Sequence, residues 1–132
     1  KFKPYERDLG RWARRWAHPG TPGLEHRVGG LEKAENGAVS SDPENHAIMV
    51  ANRAEKVARV ANYIPELEVM GNQEGDVLVV GWGGTYGHLY TATKQLLEEG
   101  KNVGFAHFDY INPLPKNTAE VFKKFKKLQT NI

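Results

Sequence analysis

The residues whose types and spacing best suit chemistry lie in Gly81-Trp82-Gly83-Gly84-Thr85-Tyr86-Gly87. Glycines directly after an apolar run let the backbone turn tightly, and a turn of this kind ahead of a helix leaves free backbone N–H groups at the positive helix end. The chemistry this suggests is anion binding, with Gly83, Gly84 and Thr85 as the candidate residues. A closely packed turn with no ligand fits the same letters. The stretch approaches the dinucleotide pattern G-x-G-x-x-G and departs from it, because Tyr86 stands where the third glycine belongs and Gly87 comes one residue late. Asp109 could take the place of the ribose-binding acid, at a longer offset than that motif uses. A bulky Tyr86 where helix and strand should pack closely argues against a Rossmann cofactor.

Other candidates are weaker. His18, Glu25, His26 and Arg27 lie in a Gly/Pro-rich stretch, with no second metal-ligand or triad spacing beside them. His26 and Arg27 are retained as substrate-contact candidates, and a polar connector is the plainer account of the stretch. His107, inside an apolar run, reads as a hydrogen-bonded core histidine. The chain has no G-x-x-x-x-G-K-[ST], H-E-x-x-H or G-x-S-x-G. No catalytic residue and no metal site are expected from it.

These residues need a scaffold. Val77 to Val80 is an unbroken apolar run, as expected for a strand covered on both faces in a parallel sheet. A helix should follow from Thr85, as its cap, to about Glu99, burying Leu89, Ala92, Leu96 and Leu97 and closing at Gly100. Val103 to Asp109 is again apolar on both faces, so strand, helix and strand form a right-handed βαβ unit. Ile111-Asn112-Pro113-Leu114-Pro115 is a rigid turn. A third helix starts at Asn117 or Thr118 as cap, with Val121, Phe122 and Phe125 inward and Lys123, Lys124, Lys126 and Lys127 in solvent. Leu128 to Ile132 is read as a further parallel strand.

Upstream, Asp42-Pro43-Glu44 is the clearest helix start, with Asp42 at the N-cap. That helix should run to about Tyr63, burying Met49, Val57, Val60, Ala61 and Ile64, and stop at Pro65. Glu66 to Met70 alternates polar and apolar, as in a short edge strand. In residues 1–17, Leu9, Trp12, Ala13 and Trp16 fall at helical spacing despite Gly10, predicting a short amphipathic helix. Residues 18–41 lose all periodicity and read as an arm that gains order on another folded surface.

Composition bounds the function. The 132 residues suffice for one domain, and a net charge of +2 gives no long-range field for nucleic acid or an anionic membrane. With no cysteine, the chain can supply neither disulfides nor thiolate ligands for zinc or iron–sulfur clusters. No run approaches the roughly 20 apolar residues that span a bilayer, and the expected setting is soluble and cytoplasmic. The opening on Lys1 and the strand-like end at Ile132 suggest a piece of something larger.

Four stretches carry a resemblance: Pro19-Gly20-Thr21-Pro22-Gly23-Leu24-Glu25-His26, Ser41-Asp42-Pro43-Glu44-Asn45-His46, Gly75 through Gly87, and Tyr110-Ile111-Asn112-Pro113-Leu114-Pro115. In order and spacing they resemble the alpha subunit of the 2-oxoacid:ferredoxin oxidoreductases, the 2-oxoglutarate type most of all. The resemblance implies an arm over residues 1–41 and, over residues 42–132, an α/β domain like a transketolase C-terminal domain. That domain is three-layered and mostly parallel, with one antiparallel edge strand and truncated at its C-terminus. The implied strand order is Leu67–Val69, Val103–Asp109, Val77–Trp82, Leu128–Ile132. The implied parent decarboxylates 2-oxoglutarate with thiamine diphosphate, Mg2+ and coenzyme A, and passes electrons through iron–sulfur clusters to ferredoxin. Its thiamine-contacting residues lie in the preceding alpha-subunit domain and the beta subunit, and none maps here. The expected role is therefore a noncatalytic structural and assembly domain, with the other alpha-subunit domains and the beta subunit as partners. The alternative is a freestanding nucleotide- or anion-binding domain using the glycine turn 81–87.

Overall fold

The computed structural model describes residues 2–130. The chain divides into two compact units, Lys1–Lys56 and Val57–Ile132.

In the second unit the apolar runs become a four-stranded sheet of β3 (Val69–Gly71), β4 (Gly75–Trp82), β5 (Val103–Phe108) and β6 (Phe125–Thr130). The strand order is β3-β5-β4-β6, with β3 antiparallel to β5 and β4 parallel to both β5 and β6. This is the order, and the single antiparallel edge, that the family resemblance implies. The pleat divides β4 between two faces. Leu78 and Val80 join Leu67, Ala106, Phe108, Val121 and Phe125 in one apolar cluster, which takes in Val121 of the short helix α3 (Thr118–Lys123). Val77 and Val79, half-buried, share the opposite face with Val103 and Phe105. Helix α2 (Tyr86–Glu98) packs there, with Leu89 set so close over Gly81 that a Cβ on that glycine would meet Leu89 Cδ1 at 2.3 Å. A parallel pair flanked by a helix on each side is the expected α/β class.

The details correct several expectations. Thr85 does not cap α2. Its hydroxyl donates to the Trp82 carbonyl at 2.8 Å, and Gly83–Thr85 forms a 3₁₀ turn that leads into the helix. The buried α2 position is Thr93, at 0% exposure, while Ala92 and Leu96 face outward. The register is set by Leu89, Thr93 and Leu97 at i, i+4, i+8, because Leu89 lies against Gly81 and Leu97 against Gly71. The helix does end as predicted: Gly100, at φ +77°, donates to Leu97 O, and Lys101 donates to Leu96 O, a Schellman closure. Nor does Asn117 cap α3. Its side chain accepts from Leu67 N at 2.8 Å and donates to Leu67 O at 3.0 Å, while the Thr118 hydroxyl donates to Pro115 O. Strand β6 begins at Phe125, three residues before the expected start, since Phe125 is buried over Gly104 and pairs with Gly75. The predicted strand residues Asn131 and Ile132 lie outside the described residues. The lysines at 123, 124, 126 and 127 are exposed as expected, and Lys126 pairs with Asp76 at 2.7 Å.

The first unit has no buried apolar core. Among the described residues, the buried hydrophobic side chains all lie between Leu67 and Phe125. Residues 1–17 do not form the predicted helix. Arg7–Asp8 (β1) and Ala13–Arg14 (β2) pair as an antiparallel ribbon. The physical reason is local competition: Asp8 Oδ1 accepts from the backbone N–H groups of Gly10 and Arg11, which a helix would have used otherwise. The turn closes with Trp12 at φ +56°, its N–H on Asp8 O and its indole N–H on Asn52 O. Helix α1 (Pro43–Ala58) starts where predicted, with Asp42 Oδ1 accepting from Glu44 N at 3.0 Å. No residue of it is buried, which overturns the expected stripe: Val57 and Val60 are exposed, and Met49, Ala61 and Ile64 only half-buried. Arg59, expected in solvent, is half-buried too.

In place of a core, the first unit is tied by polar contacts. Lys33, 2% exposed, donates to the carbonyls of Gly29 and Leu31, and its own carbonyl accepts from the Asn45 side chain. Glu32 bridges His46 at 2.8 Å and Arg53 at 3.0 Å. Those two partners, His46 first, hold the Glu32 carboxyl below its ordinary range. Residues 18–41 are irregular, as expected, apart from turns and one bridge between Lys33 and Val39.

Candidate functional site at the carboxyl ends of the parallel strands

An open α/β sheet presents its strand carboxyl ends as a crevice. In the second unit a cavity of about 730 Å³ opens there, and Gly83, Tyr86, Phe105, His107, Asp109 and Glu66 are among the residues that line it. The turn after β4 delivers Gly83, β5 and the residue after it deliver Phe105, His107 and Asp109, and the segment before β3 delivers Glu66 and Glu68.

The walls are aromatic. Tyr86 stacks on Tyr90 with centroids 5.6 Å apart and meets His107 edge-on at 5.1 Å. Tyr86 and Phe105 contact at 5.8 Å. The Tyr86 that breaks the dinucleotide pattern is thus a wall of the crevice, half-exposed at its mouth. His107 departs from the expected satisfied core histidine: it is half-buried, and its Nδ1 is sealed from solvent without a hydrogen-bond partner. That nitrogen lies toward Gly81, 3.7 Å from where a Cβ would stand. A buried polar atom left so costs free energy and marks the spot as one set by packing around Gly81.

The rim is acidic. Glu66, Glu68 and Asp109 line the cavity with no Lys or Arg among its lining residues. An anion reaching the N–H groups of Gly83 and Gly84 would approach against that field. Gly83, at φ +60°, and Gly84 are both exposed, and a Cβ on either would meet nothing. The glycine that packing demands is Gly81. Thr85 turns its hydroxyl back to Trp82. The residues of the crevice therefore do not fit the diphosphate of a thiamine cofactor or the phosphates of coenzyme A, and a chain without cysteine cannot ligate an iron–sulfur cluster through thiolates. Among the described residues no group of three His, Asp or Glu side chains is placed to hold a metal ion.

The remaining candidates belong to the first unit. His26 Nδ1 bonds Leu24 O at 2.8 Å, and its ring meets Phe2 edge-on at 5.5 Å. His18, Glu25 and Arg27 are exposed. Glu66, Glu68 and Tyr110 went unremarked as site residues in the sequence. The signal that could have found them is topological, since each lies where the order β3-β5-β4 brings chain segments to the strand carboxyl ends. No described helix is long and apolar enough to cross a membrane.

Comparison with known proteins gives a consistent result. No family model matches. The chain is 42% identical over 129 residues to the 2-oxoglutarate oxidoreductase subunit KorA of Mycobacterium tuberculosis, spanning 96% of this chain and 19% of that protein. It is 33% identical over 100 residues to the alpha subunit of 2-oxoacid:ferredoxin oxidoreductase 1 of Aeropyrum pernix, spanning 73% of this chain and 16% of that one. A solved structure, 2-oxoglutarate:ferredoxin oxidoreductase from Magnetococcus marinus with 2-oxoglutarate, coenzyme A and succinyl-CoA bound, superposes with a TM-score of 0.85 at 32% identity. That match covers 98% of this chain and 23% of the other. The chain thus spans about a fifth of the length of these relatives. It is homologous, over nearly all its length, to a segment of the alpha subunit of the 2-oxoacid:ferredoxin oxidoreductases.

Proposed function

We propose that this chain is a noncatalytic structural and assembly segment of the alpha subunit of a 2-oxoglutarate:ferredoxin oxidoreductase. In this reading the parent enzyme decarboxylates 2-oxoglutarate with thiamine diphosphate, Mg2+ and coenzyme A, and hands electrons through iron–sulfur clusters to ferredoxin in the cytoplasm. Those groups are held by the other alpha-subunit domains and the beta subunit, which are the partners of this segment. Residues 1–41 act as an arm and residues 42–132 as the domain from which it extends.

The observation that carries the reading is the likeness to the Magnetococcus enzyme over 98% of the chain. It is joined by a first unit in which several large apolar side chains stay in solvent, Trp16 at 88% and Ile48 at 59% exposure. A surface of that kind fits burial against neighbouring protein.

Reconstitution tests it. The chain alone should turn over no 2-oxoglutarate, and ferredoxin reduction should depend on it when it is joined to the remaining subunit parts. Full activity of those parts without it would end the proposal. Titration with NADH, ATP and thiamine diphosphate, followed by the fluorescence of the exposed Trp82, separates the freestanding binder. Submillimolar binding at Gly83, Gly84 and Thr85 would favour that reading instead.

A further inference from the structure

The first unit holds a charge arrangement that its own residues do not balance. In the β1–β2 ribbon Arg7 pairs directly with Arg14, so two guanidinium groups leave the same face of a two-stranded ribbon. Like charges placed directly across a strand pair repel. Arg14 lies over the Tyr5 ring at 4.6 Å, which orients it without neutralising it. The Arg7 Nε is sealed from solvent with no acceptor, so whatever compensates this guanidinium must reach its outer Nη groups. Burial, then the charges of Arg14 and Arg53, lower its pKa.

The acids nearby are already engaged. Asp8 accepts from Gly10 and Arg11, Glu35 and Glu6 hold Lys3, and Glu32 is shared by His46 and Arg53. Among the described residues no hydrogen bond or ion pair brings a carboxylate to Arg7 or Arg14, although a planar guanidinium is built to take an oxyanion by two parallel bonds.

We propose that Arg7 and Arg14 form a binding site for an oxyanion that bridges the two strands of the ribbon. The anion's chemistry is that of a phosphoryl or carboxylate group. Its charge converts the cross-strand repulsion into two charge-assisted clamps and ties the two strands together. The site does not depend on the assembly role above, and it lies in a different unit from the glycine turn.

The test uses the whole chain at constant ionic strength, with sodium chloride replaced stepwise by sodium phosphate or by sodium acetate. Arginine side-chain NMR signals are followed, together with the rate of proteolysis in residues 1–17. Phosphate should shift the Arg7 and Arg14 signals in a saturable way and slow cleavage. Equal effects of acetate would assign a carboxylate, and effects of phosphate alone a phosphoryl group. No response to either anion beyond chloride overturns the site. Arg14→Gln should abolish the response and, with no anion present, slow cleavage of the ribbon several-fold by removing the repulsion. Faster cleavage of Arg14→Gln would show that packing on Tyr5 is its whole role, and would sink the proposal. Arg7→Lys, which keeps the charge and loses the fork, should weaken the phosphate response severalfold, and an unchanged response would also count against the site.

Discussion

Phe105 and Lys33 are equally hidden, each 2% exposed, yet they are hidden by different means. Phe105 lies in a central strand among Val103, Val79 and Tyr86, where removal of apolar surface from water supplies the stabilisation. Lys33 is held by carbonyl acceptors, with the Tyr5 ring 6.0 Å from its ammonium. A nonpolar core is cooperative because every member touches several others. A knot of polar contacts breaks one bond at a time, because water can replace each partner. The second unit should therefore unfold as a block, and the first should loosen by steps.

Four experiments can break or sharpen this contrast. Leu78→Asp places a charge where the side chain is 0% exposed, at a cost of several kcal/mol, and should abolish the folded sheet by circular dichroism. A cooperative melt in this variant would refute the core assignment.

Asn117→Ala strips both backbone groups of Leu67 of their partner. A loss of about 2 kcal/mol in urea unfolding is expected. Asn117→Asp keeps the acceptor for Leu67 N and loses the donor to Leu67 O, so it should fall between the two. Neutral behaviour would mean that the two bonds to Leu67 do not stabilise the fold.

Lys33→Met should cost the first unit about 1 kcal/mol by leaving the Gly29 and Leu31 carbonyls without their donor. Cleavage within residues 1–41 should speed up several-fold while a fragment from about residue 57 survives. Unchanged protection would show that the knot does not hold this unit.

The smallest effect concerns pH. Because Glu32 titrates lower when folded, its contribution is fully present above the ordinary glutamate value near 4.5 and is lost as pH falls through the lower folded value. Proteolysis of the first unit should rise in acid below about pH 4.5, and Glu32→Gln should be fast already at neutral pH with little further change. Acid sensitivity equal in wild type and Glu32→Gln would exclude this carboxylate as the cause.

Much of the second unit was legible in its letters. Continuous apolar runs such as Val77 to Val80 specify strands wherever a helix crosses over, and Gly100 specifies a helix end because it reaches positive φ without strain. The candidate crevice was only partly legible. Gly83 pointed to the right end of the right strand, but Glu66 and Glu68 arrive there through the antiparallel edge pairing, which no local pattern encodes. Residues 1–17 misled because Leu9, Trp12, Ala13 and Trp16 keep helical spacing, whereas the Asp8 side chain captures the backbone N–H groups the helix needed.

By itself, then, the order of residues determined the α/β class, the βαβ core, the start of α1 at Asp42 and the resemblance that the homologues bear out. Those features rest on interactions among neighbours in sequence, or on periods that any run of apolar residues imposes. Only the tertiary structure decided that Gly81 and not Gly83 is the closely packed glycine, that Asn117 grips Leu67 across 50 residues, and that Arg7 faces Arg14. Each of these depends on two segments meeting in space, where the free energy belongs to the pair and neither segment carries it alone.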